Sequence, residues 1–435
     1  MGSSSSTTSP MLLSTLCSSS TWWLQRRFVR VFAVGFIFLV AVSIHLTRGD
    51  SLPAHHAPFE APTTKLVVHG DVIDALPELA EPLRPFPPSP RYPPEQVDDH
   101  AERAPWLAAV ISTASDVERR MIIRSTWMKL FQDVPFDGRF VVSNPGPQWT
   151  RILSQENRTF GDLIVLDHIP EDDITANTIK TLEFYKWLVA HSPKYEFVSK
   201  MDTDLWLNAR GFWERFLLPR LSRSNETGTL TSTVERTVIG ELYYSPYWDL
   251  VFPHGAMYTV TWDIVELLSS LQGKFKVVTG EDMAVATLML KGHERANFVN
   301  FRGTEKFDYN DNDAREDEYA WARQNTHPYS IDHAIVGQDA IAVHQLKDEK
   351  LWFKVADCFD ETGVKVAPPT SSTGYKSQKP MSMRWHDFWS WMGVSTRYQS
   401  RFDRIPDFIW TLEDGDWICD GIWNVGKTKT GFTER

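Results

Sequence analysis

Asp202 and Asp204 stand two positions apart in Lys200-Met-Asp-Thr-Asp204, just past a short apolar run, Phe197 to Met201, that reads as a buried strand. In α/β sheets, ligands bind beyond the carboxyl ends of the strands. Two carboxylates leaving a strand there can share a divalent cation, and a cation so held can grip the diphosphate of a nucleotide sugar. Spacing alone does not carry this reading, because Asp311-Asn-Asp313 and Asp414-Gly-Asp416 have it too. The first of these lies in a highly charged stretch and the second reads as a turn, and neither follows a strand-like run.

The elements that must position the pair alternate along the chain. Leu107 to Ser112 reads as a buried strand, and Ser115 with Glu118 forms a capping-box signature ahead of a helix to about Phe131. Strands follow at Arg139 to Ser143, Leu163 to Leu166 and Phe197 to Met201, separated by a polar helix and by a helix from about Thr175 to Ala190. Further strands are expected at Val238 to Leu242 and Ala256 to Val260, and a helix at Trp262 to Leu271. Strand and helix in alternation predict βαβ units, an α/β fold with a mostly parallel Rossmann-type sheet and helices on both faces. The glycine-rich G-x-G-x-x-G phosphate loop is absent, so a diphosphate would have to be held another way.

The 435 residues, 42 % hydrophobic and 13 % aromatic, can bury one large core or two smaller ones. A formal net charge of −11 argues against nucleic acid as the main partner, since phosphate neutralisation needs a basic face. Residues 28–47 contain one charged residue, Arg30, and are long enough to cross a bilayer. The basic residues ahead of the run, Arg26 and Arg27, predict a cytoplasmic tail over 1–27 and a lumenal remainder. A cleaved signal peptide ending near Ala41-Val-Ser43 is the competing reading. Residues 48–104 are punctuated by proline and read as an extended stem. Residues 105–357 then form the catalytic part, and 358–435 an aromatic-rich extension. Asn157-Arg-Thr159 and Asn225-Glu-Thr227 are glycosylation sequons consistent with a lumenal domain. Cys358 and Cys419 are either a lumenal pair or two packed thiols.

Several segments together resemble family 31 glycosyltransferases of the β-1,3-galactosyltransferase type. Arg119-Arg-Met-Ile-Ile-Arg-Ser-Thr-Trp127 is similar to the family's R-x-x-I-R-x-T-W. Phe160-Gly-Asp-Leu-Ile-Val-Leu-Asp167, Thr178-Ile-Lys-Thr181, Lys200-Met-Asp-Thr-Asp204 with Asn208, and Gly280-Glu-Asp-Met283 follow in the family's order over roughly Pro105 to Asp357. The resemblance implies a GT-A-like fold, a UDP-sugar donor, a metal such as manganese (Mn²⁺), and an inverting reaction in the Golgi. It departs from the family at Ala286 and in Gly255-Ala-Met-Tyr258, where glycines are expected, which puts the acceptor in question more than the donor.

On that resemblance Asp204 ligates the metal, with Asp202 near the ribose or the metal, and His344 is a further ligand, with His333 a poorer rival. Asp282 is the general base and Glu281 its immediate alternative; an N-terminal helix carboxylate stabilised by the helix dipole is the bland reading. Arg119, Arg124 and Lys180 are candidates for donor phosphate or uridine contacts, with surface ion pairing as the other option. Trp127 reads as core. Tyr243, Tyr244, Tyr247 and Trp248 either line an acceptor sugar or pack inward. The expectation is a type II Golgi membrane enzyme moving galactose from UDP-galactose to a 3-hydroxyl of a glycan. N-acetylglucosamine transfer from UDP-GlcNAc is second, and a lumenal glycan-binding module without turnover is the rival from another class. A nucleotidyltransferase or phosphatase using the same carboxylates is a third.

Overall fold

The computed structural model describes residues 104–224, 228–303, 305–309, 339–365, 392, 401–402 and 404–429, all within the compact unit Leu76–Arg435. The segments 1–27 and 28–47, nearly all of 48–104, Asn225, His333 and the Asp311 to Asp313 motif lie outside the described residues. Among the described residues no helix is long and apolar enough to cross a membrane.

Four parallel strands, β1 (Trp106–Ile111), β2 (Phe136–Asn144), β3 (Leu163–Pro170) and β4 (Phe197–Asp202), stand in the order β3-β2-β1-β4. The chain winds outward from β1 in one direction through β2 and β3, then returns to add β4 on its other side. That reversal opens a crevice at the carboxyl ends of β1 and β4, where Ile111 and Asp202 are register partners. Beyond β4 the sheet continues with Met257–Thr261 antiparallel, then Thr237–Gly240, Ala296–Asn300 and a C-terminal meander of Trp423–Gly426, Asp416–Cys419 and Trp410–Glu413. The sheet is therefore mostly parallel, with antiparallel pairing where the strand Met257–Thr261 enters and at the meander edge.

Strand alternation divides the core between the two faces. Trp106, Ala108 and Val110 of β1 join one buried cluster, while Leu107 and Ala109 join the other. With both faces covered, the strand reads as a continuous apolar run. The C-terminal strands belong to this architecture, although the sequence sets 358–435 apart. Trp423 and Cys419 are fully buried with Phe298, and the hairpin between Trp410–Glu413 and Asp416–Cys419 turns on Asp414 and Gly415, both at positive φ. Cys419 is a free, buried thiol and Cys358 is buried in the other cluster, which settles that alternative against a disulfide between them.

One local expectation is corrected. The capping box does not form: Asp116 is the N-cap of the helix Val117–Ile123 and makes no side-chain capping bond, because the Ser115 hydroxyl is engaged with that of Thr113 at 2.9 Å. The helix reaches Leu130, close to the expected end, but passes through a wider turn at Arg124–Met128. Thr126 leaves helical geometry there, its hydroxyl donating to the Ile122 carbonyl at 2.6 Å and accepting from Trp352 Nε1 at 3.2 Å.

That first helix is anchored by charge. Arg120, fully buried, makes a two-pronged contact with Glu156 at 2.7 Å on each oxygen, and Arg124 adds a third bond to Glu156 at 2.7 Å. Burial pushes the Glu156 carboxyl up, but the two guanidinium groups outweigh it and hold the group below the ordinary glutamate value. Its stabilising contribution is thus complete above the unfolded-state pKa and fades as pH falls through the lower folded value. Glu156→Ala leaves a buried unpaired arginine and is expected to cost about 3–5 kcal/mol near neutral pH. Urea unfolding checks this, with the gap to the parent narrowing below about pH 4; coincident midpoints at neutral pH would refute it.

Candidate active site

Lys200 and Asp202 lie two residues apart on β4, hence on one face. The Lys200 ammonium is fully buried and donates to Asp202 Oδ1 at 2.8 Å, Glu281 Oε2 at 2.9 Å and the Gly255 carbonyl at 2.5 Å. Burial works against its charge, yet the surrounding carboxylates, Asp202 foremost, hold its pKa above the ordinary lysine value. It is a fixed cation that pins the acidic cleft from beneath. The sequence reading includes Lys200 in the motif but gives it no role.

The second half of the site comes from a small three-stranded sheet, Lys306–Asp308, Ala342–His344 and Trp206–Leu207. Its first two strands are parallel with Asp308 and His344 in register, so both side chains emerge side by side. The Leu346 amide donates to the Asp204 carbonyl at 2.9 Å, tying this sheet to the loop after β4. His344 Nε2 then lies 3.2 Å from Asp204 Oδ1 and 3.8 Å from Asp202 Oδ2. One ligand atom each from Asp202, Asp204 and His344 fall within 4.8 Å of one another. Two carboxylates and an imidazole are a donor set that fits a first-row divalent cation. Burial lowers the His344 pKa, but Asp204 and Asp308 more than reverse this and raise it to about 9. Asp204 is held below the usual carboxylate range by His344, against the effect of burial.

Glu281 and Asp282 open the helix Glu281–Gly292, and Glu281 shares the Lys200 ammonium with Asp202. Burial pushes both carboxyls up, and Lys200 acts against that shift. Their engagements differ. Glu281 accepts from Thr181 Oγ1 at 2.6 Å on one oxygen and from Lys200 on the other. Asp282 lies against Gly255 so closely that a Cβ there would fall 1.6 Å from its Oδ1. Of the two, Asp282 has the carboxylate less committed to holding the fold.

The basic candidates separate. Arg119 donates to the Lys347 carbonyl at 2.7 Å and stacks over Trp352, and among the described residues its buried Nη1 has no hydrogen-bond partner. It thus sits beside the loop that carries His344. Arg124 does not face the cleft as an open cation, because Asp162 takes it by two bonds of 2.8 Å in addition to Glu156. Lys180 is fully buried and donates to the Ser112 carbonyl at 2.6 Å. Burial drops its pKa to about 8, and the side chain is closed off from solvent. Trp127 is buried core, as expected. Asn157 lies in the helix Pro147–Phe160, with Oδ1 accepting from the Leu163 amide at 3.1 Å. The aromatic segment forms the hairpin Leu242–Ser245 and Leu250–Pro253, with Tyr247 at its tip 84 % exposed.

Sequence reasoning misses a buried network behind His344. Arg401 bridges Asp308 at 2.6 Å and Glu241 at 3.0 Å, and Lys306 joins Glu241 at 2.6 Å to His254 at 3.0 Å. Burial, then Lys306 and Arg401, lower the His254 pKa well below the ordinary value, so its neutral ring accepts from Lys306. None of these residues stands in a motif; only their polar character within apolar runs could have signalled them.

Residues 118–294 match the family model described as Galactosyltransferase. Beta-1,3-galactosyltransferase 1 of Homo sapiens is 27 % identical over 199 residues, covering 43 % of this chain and 60 % of that protein. UDP-GalNAc:beta-1,3-N-acetylgalactosaminyltransferase 1 of Rattus norvegicus is 26 % identical over 201 residues, covering 42 % and 60 %. The match thus spans about three fifths of the length of these curated relatives. A crystal structure of the galactosyltransferase LgtC with donor and acceptor sugar analogues aligns with TM-score 0.34 at 11 % identity, over 58 % of this chain and 95 % of that one. Over residues 118–294, the chain is thus similar to the galactosyltransferases of glycosyltransferase family 31.

Proposed function

We propose that this protein is an inverting, metal-dependent glycosyltransferase that moves galactose from UDP-galactose to a 3-hydroxyl of a glycan acceptor. The observation that carries the reading is the meeting of Asp202, Asp204 and His344, with Asp282 close enough to feel the charge of Asp202 and His344. The family match and the named activities of the relatives support the donor class. Asp202, Asp204 and His344 would hold the divalent cation, Mn²⁺ by donor chemistry. When bound, such an ion supplies Lewis-acid stabilisation of the departing diphosphate. Asp282 takes the proton of the acceptor hydroxyl as its oxygen bonds to the anomeric carbon. The carbon–oxygen bond to the phosphate breaks on the opposite face, its electron pair leaving with UDP. Arg119, beside the His344 loop, is the guanidinium best placed for the diphosphate. The exposed aromatic hairpin around Tyr247 offers a face for the acceptor sugar.

The relative named for UDP-GalNAc keeps an N-acetylhexosamine donor, UDP-GlcNAc included, as the second reading. Incubating the protein with Mn²⁺, a glycan panel and each UDP-sugar decides between them. Galactose transfer is expected; strict use of an N-acetylhexosamine donor would replace the galactose assignment, and UDP binding with no transfer to any acceptor would favour a glycan-binding module. A Golgi, type II membrane location rests on the sequence of residues 28–47 and the proline-rich 48–104.

Gly255 gives a prediction of its own. A methyl at this position collides with Asp282 Oδ1, so Gly255→Ala must displace the base. Misplacing a reacting group by about 1 Å can cost on the order of 10²-fold in rate. Steady-state assays should show that loss in kcat, with manganese affinity retained. Parental kcat would mean that Asp282 does not act from the position it holds here.

A further inference from the structure

Asp308, Lys306 and Arg401, which back His344, lie outside residues 118–294 and outside every motif in the sequence. An imidazole can offer only one nitrogen to a cation, and the hydrogen bond at the other nitrogen decides which one and fixes the ring rotation. Here Nδ1 bonds Asp308 Oδ1 at 2.7 Å, leaving Nε2 toward Asp202 and Asp204. Asp308 is fixed in turn, its Oδ2 accepting from Arg401 at 2.6 Å and from Gln345 at 3.2 Å. The chain runs on through Glu241 and Lys306 to His254, whose ring packs edge-on against His344 at 5.9 Å. The network therefore closes on the imidazole from two sides. Apolar side chains of similar volume would fill this space at no greater cost than buried charges do. What they could not do is hold one nitrogen of His344 in a set direction.

We propose that Asp308 and Arg401 are positioning residues of the cation site. Asp308 fixes His344 with Nε2 facing Asp202 and Asp204, and Arg401, from the C-terminal segment, fixes Asp308. This rests on the reading of Asp202, Asp204 and His344 as cation ligands. It also gives the C-terminal segment a share in the donor site.

The test titrates Mn²⁺ alone into the whole protein, following heat or the electron paramagnetic resonance of the free ion. The variants are Asp308→Asn, Arg401→Gln and Arg401→Lys, with Glu156→Gln as a control outside the His344 network. Asp308→Asn is expected to weaken Mn²⁺ binding by about 10- to 100-fold, the usual loss when a ligand's supporting partner is removed. Arg401→Gln should move the same way, and Arg401→Lys should recover part, since an ammonium can still donate to Asp308. Glu156→Gln should lower the unfolding temperature without moving Mn²⁺ affinity. In assays, the Asp308 loss should appear in the manganese concentration for half-maximal rate more than in kcat at saturation. Parental Mn²⁺ affinity in Asp308→Asn overturns the proposal. If that variant fails to fold, a folded Arg401→Gln with parental affinity overturns it equally. A parent protein that binds no Mn²⁺ sinks the metal reading itself, whereas a binding parent with unaffected variants sinks this inference alone.

Discussion

Asp282→Asn is expected to reduce kcat for sugar transfer by about 10² to 10⁴, the range a positioned general base supplies, while UDP binding in manganese stays near the parental value. The variant is nearly isosteric, so the contact with Gly255 and the start of the helix Glu281–Gly292 remain. What disappears is the lone pair that receives the acceptor proton. Glu281 cannot readily stand in, since Thr181 and Lys200 occupy its oxygens. The pH profile sharpens the test. Burial raises the Asp282 pKa above the ordinary aspartate value, with Lys200 opposing the shift. The base works only when deprotonated, so the parental rate should climb with pH through that raised value, and this limb should be missing from Asp282→Asn. Rates within a few-fold of the parent, with the acidic limb intact, would show that another group takes the proton.

The parts legible in the sequence are those set by local pattern. Strands β1 to β4 show because both sheet faces are covered there and each strand carries a short apolar run. Asp202 and Asp204 stand out by following such a run, whereas Asp414 and Asp416 flank a hairpin turn. His344 and Asp282 were reached through resemblance, and the fold brings them to the same cleft. What the pattern could not give is who pairs with whom across the chain. Arg124 and Lys180 have the right charge for a diphosphate, but Asp162, Glu156 and the Ser112 carbonyl claim them, partners supplied by tertiary packing. Asp308 and Arg401 meet across 93 positions, and no local periodicity encodes that. The C-terminal meander escapes sequence pattern for the same reason: its four-residue strands carry little signal of their own, and they gain their place through Trp423–Gly426, which pairs with Ala296–Asn300.

Asp204→Ala is expected to remove manganese-dependent UDP binding, a larger effect than the roughly 10- to 100-fold loss expected from disturbing a supporting residue. The side chain supplies one of the two anionic oxygens in the three-ligand set, and it is the carboxylate closest to His344 Nε2. The fold should survive its removal, because the tether between this loop and the His344 strand uses the backbone carbonyl of Asp204, not the carboxylate. Asp202 makes a less clean variant, since it is also a partner of the buried Lys200 ammonium, so its loss would disturb Glu281 and the floor of the cleft. Calorimetric titration of UDP with and without Mn²⁺ reads the effect directly: the parent should show a manganese-dependent gain in affinity, and Asp204→Ala should show almost none at an unchanged unfolding temperature. A variant that keeps the full gain would place the ion elsewhere, and Asp202 and His344 would then need another explanation for their convergence.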